Sequence, residues 1–215
     1  MSSRHAFDAL IFDYDGVIAD TETMHWRLWA EILERRGIQL SWEHYCRIGR
    51  GIQDVVMLGK LQETAADPAA LSGARAEKAL HKLLMREMCT REPPIAEATI
   101  AMLRSIGDYR IGLVTSSAAS DVLPVLRAAG IDSCFHALVF GEDVEHHKPA
   151  PDPYLLIKSR LGIIRGLAFE DSDAGILSAQ RAELMVVAVT DPGQLSGIVY
   201  QAISDFEQVW GNALV

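Results

Sequence analysis

Four short clusters in this chain combine residue types that could hold a cation beside an anion. The first is Asp13-Tyr14-Asp15-Gly16-Val17. Two carboxylates two residues apart point opposite ways on an extended strand, but on a turn leaving a sheet both converge on one crevice. A surface turn rich in Asp and Gly has the same composition. A calcium loop opens in the same way, yet it needs Gly at its sixth position and Glu at its twelfth. Ile18 and Met24 stand there, so calcium is excluded. The second cluster is Phe169-Glu170-Asp171-Ser172-Asp173. Ser172 or Asp173 suits a helix N-cap, with the acids favoured by the helix dipole, while Asp171 is left for another task. Oxygen-only ligands from Asp13 and Asp171 suit a hard ion that keeps several waters, which is magnesium. The third cluster, Thr115-Ser116-Ser117, offers hydroxyls and amides that either cap a helix or bind an anion. The fourth is Lys148 in His147-Lys148-Pro149-Ala150-Pro151-Asp152, where flanking prolines stiffen the loop that carries the charge.

Scattered residues act together only if the fold gathers them. Ala9-Leu10-Ile11-Phe12 is a continuous apolar run, the pattern of a strand buried on both faces of a parallel sheet. Similar runs recur at 111–114, 137–140, 167–169 and 184–189. Helical patterns separate the later ones, at 121–129, 154–161 and 173–181. Alternating strands and helices predict an α/β fold, a Rossmann-like parallel sheet core with helices on its faces. The four clusters then fall at the ends of four successive strands, where such sheets open their ligand crevice. Between about Val17 and Pro93 the rhythm stops. Here His25, Leu28, Trp29, Ile32 and Leu33 repeat at helical spacing, as do Leu80, Leu83, Leu84 and Met88, and Pro93-Pro94 closes the block. This reads as an inserted all-helical lobe, residues 18–92, between core segments 1–17 and 93–215.

Composition narrows the function. At 215 residues the chain has room for one domain plus an insertion. Its apolar fraction of 49% and charged fraction of 23% are those of a globular protein rather than a disordered or fibrous one. A net charge of −9 argues against nucleic acid and anionic membranes as partners. Cys46, Cys89 and Cys134 are odd in number, widely spaced and in no C-x-x-C arrangement, so neither a disulfide framework nor a zinc site is expected. A reducing compartment is the default. No apolar run reaches the roughly 18 residues of a membrane helix, and no signal-peptide core is visible. A cytoplasmic monomer or weak dimer is expected.

The four clusters together resemble, in order and spacing, the motifs of the haloacid dehalogenase superfamily, in its phosphatase and β-phosphoglucomutase-like branch with a helical cap. The likeness covers essentially the whole chain. It implies Asp13 as nucleophile, Asp15 as general acid/base, and Thr115 and Lys148 as holders of a phosphate group. It implies magnesium bound by Asp13, the Asp15 backbone carbonyl and Asp171, with Glu170 assisting. The dehalogenating branch lacks the second Asp, so Asp15 argues against dehalogenation. Physics agrees with this division of labour. Two like charges about 4 Å apart cost about 4 kcal/mol at an effective dielectric of 20, so a phosphate ester among carboxylates needs magnesium and Lys148 to offset the repulsion. Asp15 must carry a proton to release an alcohol, which requires its pKa to rise by roughly two to three from about 3.9.

In the helical lobe, Glu22, His25 and Arg50 are candidate substrate contacts, alongside Ser116 and Ser117 in the core. Trp26 reads as a packing aromatic, Lys78 as a cation able to reach a distal anionic group, and His146-His147 as polar loop. Gly49-Arg50-Gly51 leads to Asp54 rather than Gly, so the dinucleotide fingerprint fails, and Gly59-Lys60-Leu61 fails the P-loop pattern. The expected activity is magnesium-dependent hydrolysis of a small phosphorylated metabolite, of sugar phosphate or phosphoglycolate type, through an aspartyl-phosphate. The alternatives are a phosphomutase and a non-catalytic phosphate-ligand-binding protein. The Gly49–Ile52 stretch lacks the Ser-Arg pair of β-phosphoglucomutase, which counts against the mutase. The lobe is expected to hinge near 17–20 and 92–94.

Overall fold

The computed structural model describes residues 6–48, 54–64 and 77–213. In chain order β1 (Ala9–Asp13) is followed by α1 (Thr21–Glu34), α2 (Trp42–Ile48), α3 (Asp54–Thr64) and α4 (Lys78–Arg91). Next come α5 (Glu97–Ser105), β2 (Arg110–Val114), α6 (Ala119–Ala128), β3 (Ala137–Val139) and α7 (Asp152–Leu161). The chain continues through β4 (Gly166–Glu170), α8 (Asp173–Arg181), β5 (Met185–Ala188) and α9 (Leu195–Ala213). Two compact units result: Met1–Asp20 with Pro93–Val215, and Thr21–Glu92.

The first unit holds a five-stranded, all-parallel sheet in the order β3-β2-β1-β4-β5. Every residue of β1 and β4 is buried, as an apolar run in a doubly covered sheet requires. The runs at 137–140 and 184–189 depart from that expectation. β3 and β5 are the outermost strands and are only partly covered, with Met185 49% exposed. An edge strand has a neighbour on one side alone, and its apolar composition does not bury it.

Register sets up the site. Ile11 pairs with Ala168 and Phe12 with Phe169, whose rings stack at 4.9 Å, while Asp13 pairs with Val114. Ile11 and Ala168 share one sheet face with Tyr154 and Ile157 of α7. Alternation puts Asp13 and Glu170 on that same face, one step beyond the apolar layer. Gly112 allows α7 to lie close on β2, since a Cβ there would come within 3.0 Å of Ile157 and Leu161.

In the second unit α1 buries Leu28, Trp29, Ile32 and Leu33 and packs on α4. The buried stripe of α4 is His81, Met85 and Cys89, whereas Leu80 and Leu83 of the expected apolar stripe are 43% and 59% exposed. The reason lies in the rings: Trp29 stacks on His81 at 4.5 Å, and His25 stacks on the same imidazole at 5.1 Å. That stacking turns the 81/85/89 face of α4 toward α1. Among the described residues no helix is long and apolar enough to cross a membrane.

Candidate active site

The turn after β1 is tightly built. The Tyr14 carbonyl accepts bonds from the amides of Ile18 and Ala19 at 3.0 and 2.9 Å, and the Gly16 amide donates to the Ala19 carbonyl at 2.9 Å. This turn leaves Asp13 buried at the end of β1 and Asp15 half-buried beyond it. Both carboxylates meet partners from the neighbouring strand ends. The Lys148 ammonium donates to Asp13 Oδ1 at 2.7 Å and to Glu170 Oε1 at 2.6 Å. The Ser117 hydroxyl donates to Asp15 Oδ2 at 2.7 Å, and the Thr115 hydroxyl makes a longer contact with the same oxygen at 3.4 Å. Thr115 Oγ1 in turn accepts from the Ser117 backbone amide at 2.9 Å, which ties the Thr115 side chain to the loop that carries Ser117.

Across β4 the cluster closes. Asp13, Glu170 and Asp171 each present a carboxylate oxygen, and these oxygens lie within 4.8 Å of one another. Ser172 caps α8 by accepting from the Gly175 amide at 3.1 Å. Glycine makes the crowding possible at two points. A Cβ on Gly16 would lie 2.0 Å from Asp171 Oδ2, and one on Gly175 would lie 2.0 Å from Glu170 Oε2.

The electrostatics follow from burial. Burial, with the charges of Glu170 and Asp15 adding to it, holds Asp13 well above the usual carboxylate range, and Lys148 only partly opposes this. Burial works against the charge on Lys148, but Asp13 and Glu170 beside it raise its pKa above the ordinary value, so it stays an ammonium. Three carboxylates with hard oxygen donors so close together suit a divalent cation such as magnesium, whose charge would favour the ionised form of Asp13.

The expected site residues are therefore placed unevenly. Asp13, Lys148 and Glu170 form one hydrogen-bonded group, Asp15, Thr115 and Ser117 form another, and Asp171 lies beside Asp13 and Glu170. Ser116 is exposed on the same loop. In the helical unit, Glu22 Oε2 accepts from the Tyr45 hydroxyl at 2.7 Å and His25 is stacked on His81. Trp26 packs edge-on against Trp42 and bonds the Leu40 carbonyl. Arg50, with the Gly49–Ile52 stretch, and the side chain of Lys78 lie outside the described residues. His146 is exposed and paired with Asp152 at 3.0 Å.

Sequence reading missed Tyr154, whose buried hydroxyl donates to Glu170 Oε1 at 2.5 Å. The available signal was a tyrosine early in the helix after the Lys148 loop, because a buried phenol needs a partner.

Comparison with known proteins identifies the family. A model of the haloacid dehalogenase-like hydrolases matches residues 10–189. The fructose-1-phosphate phosphatase YqaB of Escherichia coli is 32% identical over 196 residues, covering 88% of this chain and 98% of its own. A phosphorylated carbohydrates phosphatase of Thermotoga maritima is 29% identical over 180 residues, 81% of each chain. Among solved structures, a subfamily IA hydrolase of the haloacid dehalogenase superfamily from Geobacter sulfurreducens superposes with a TM-score of 0.71 at 25% identity, covering 92% of this chain and 98% of that one. With the family's match running from β1 to the end of the sheet, the protein belongs to the haloacid dehalogenase-like hydrolases.

Proposed function

We propose that this hydrolase cleaves a small phosphomonoester, of sugar phosphate or phosphoglycolate type, through an aspartyl-phosphate on Asp13, with magnesium as cofactor. The observation that carries the reading is the Lys148–Asp13 pair at 2.7 Å with Asp15 one turn beyond it. A nucleophile, a fixed positive charge and a second carboxylate at one strand end are the parts that phosphoryl transfer through a covalent enzyme intermediate needs. Relatives named as fructose-1-phosphate and phosphorylated-carbohydrate phosphatases support a sugar phosphate as substrate.

In the first step an Asp13 oxygen forms a bond to phosphorus as the ester P–O bond breaks. Asp15 gives its proton to the departing alkoxide, which leaves as the alcohol. In the second step Asp15, now ionised, takes a proton from water. The water oxygen bonds to phosphorus, the bond to Asp13 breaks, and inorganic phosphate departs. Lys148 and the Thr115 hydroxyl hold the phosphoryl oxygens, and Ser117 orients Asp15. Asp13, Asp171 and the Asp15 carbonyl would hold magnesium, assisted by Glu170, and the ion would supply neutralisation of the phosphoryl charge. The helical unit would serve as a cap that selects the substrate, with Glu22, His25 and Arg50 the residues to vary. A panel of phosphorylated metabolites incubated with magnesium and scored for released phosphate tests the reading. Asp13→Asn should abolish turnover while leaving the fold intact, and retained activity would refute the assignment. Isomerised sugar phosphate without release of free phosphate would favour the mutase instead.

A further inference from the structure

The side chain of Tyr154 is fully buried in the middle of the site's supporting layer. Its hydroxyl donates to Glu170 Oε1, the same oxygen that accepts the Lys148 ammonium at 2.6 Å. Its ring lies under that ammonium, with Nζ 5.5 Å from the ring centroid. On the other side of the carboxylate, Glu170 Oε2 occupies space left open by Gly175 and lies 3.4 Å from the Ser172 hydroxyl. Glu170 is fully buried, so its orientation is set by these few contacts and not by solvent.

We propose that Tyr154 is a positioning residue: its hydroxyl fixes the Glu170 carboxylate, which in turn sets Lys148 against Asp13 and aligns Glu170 within the acidic cluster. This rests on the reading of Asp13, Lys148 and the acidic cluster given above. The phenol contributes twice, through a charge-assisted hydrogen bond to Glu170 and through a cation–π contact with Lys148. Removing the hydroxyl alone leaves a fully buried carboxylate with one strong donor. The carboxylate is then able to rotate and draw Lys148 away from the nucleophile.

Tyr154→Phe keeps the ring and deletes the hydroxyl, and Tyr154→Leu deletes both. Two readouts apply: steady-state kinetics on the best phosphate ester, and calorimetric titration of the metal-free protein with magnesium. For Tyr154→Phe the expected result is a kcat lowered roughly 10-fold, the scale of one charge-assisted hydrogen bond. KM should stay within about twofold and magnesium affinity should weaken about fivefold, with Tyr154→Leu lower still. A Phe variant with wild-type kcat and magnesium affinity, whatever its melting temperature, overturns the proposal and leaves Tyr154 a packing residue. Gly175→Ala tests the same carboxylate from its other side and guards against a Tyr154 variant that fails to fold. It should lower kcat and magnesium affinity together, and wild-type behaviour would sink the claim that Glu170's placement matters. If the wild type releases no phosphate from any ester, the phosphatase reading fails on its own, and the magnesium titrations still decide the role of Tyr154.

Discussion

A methyl group added to Gly16 would lie 2.0 Å from an oxygen of Asp171, although 155 positions separate the two residues in the chain. The turn after β1 and the turn after β4 are therefore packed backbone to carboxylate, and Gly16 also sits at φ +75°, where an L side chain is strained. Gly16→Ala should cost about 1–2 kcal/mol of stability and displace Asp171 from the acidic cluster. Denaturant unfolding measures the first effect and a magnesium titration the second. An alanine variant with unchanged magnesium dependence would show that Asp171 does not have to stand where it does.

The Ser117 hydroxyl donates to Asp15 at 2.7 Å. That geometry separates two effects. Asp15→Asn removes proton transfer itself and should lower kcat on the order of 10² to 10⁴-fold. Ser117→Ala leaves the carboxylate present but without this donor, and should lower kcat only about threefold to tenfold. Single-turnover rates on the preferred ester order the two variants. A Ser117 variant as impaired as the Asp15 variant would assign Ser117 a more direct part.

One contribution to the pH response of stability lies at the opposite ends of the strands. Asp8, just before β1, accepts from the Arg165 backbone amide at 3.0 Å and pairs with its guanidinium at 3.1 Å, just before β4. Burial acts to raise the Asp8 pKa, but these bonds outweigh it and hold the carboxyl below its ordinary value. A depressed folded-state pKa contributes stability above the unfolded value of about 3.9, and that contribution is lost as pH falls through the folded value. Asp8→Asn should therefore be less stable than wild type by about 0.5–1 kcal/mol near neutrality. The gap should close as the pH drops below about 4. A gap that is constant with pH would mean that the Asp8 charge is not its source.

Strand and site were legible in the sequence for different reasons. β1 and β4 lie inside the sheet, and burial on both faces wrote itself into continuous apolar runs. α8 occupies the span its pattern and Ser172 cap implied, Asp173–Arg181. α5 and α9 went unassigned, although both are regular helices of the core unit. At the site, clustered acids and the proline-flanked Lys148 are unusual enough to stand out in one dimension. The contacts that orient them are not. Ser117 reads in the sequence as a candidate substrate contact and not as the donor to Asp15, Tyr154 reads as a helix position, and Gly16 and Gly175 read as turn and helix glycines. Their meaning depends on strands far apart in sequence arriving side by side.

The acidic cluster should make the metal-free protein less stable than it need be. Asp13, Glu170 and Asp171 lie within 4.8 Å of one another with Lys148 paired to the first two. Like charges at such distances repel, and Asp171 is half-buried, so solvent screens it only in part. Asp171→Asn should raise the stability of the chelator-treated protein by about 0.5–1 kcal/mol while turnover collapses. Magnesium should reverse the order. The wild type gains about 2.7 kcal/mol at a hundredfold excess over Kd, and the variant, having lost a ligand, gains far less. Thermal unfolding of both proteins in chelator and in magnesium measures all four values. If chelator leaves the wild type as active and as stable as magnesium does, the cluster is not a cation site, and if Asp171→Asn is destabilised without metal, repulsion is not what the three carboxylates contribute.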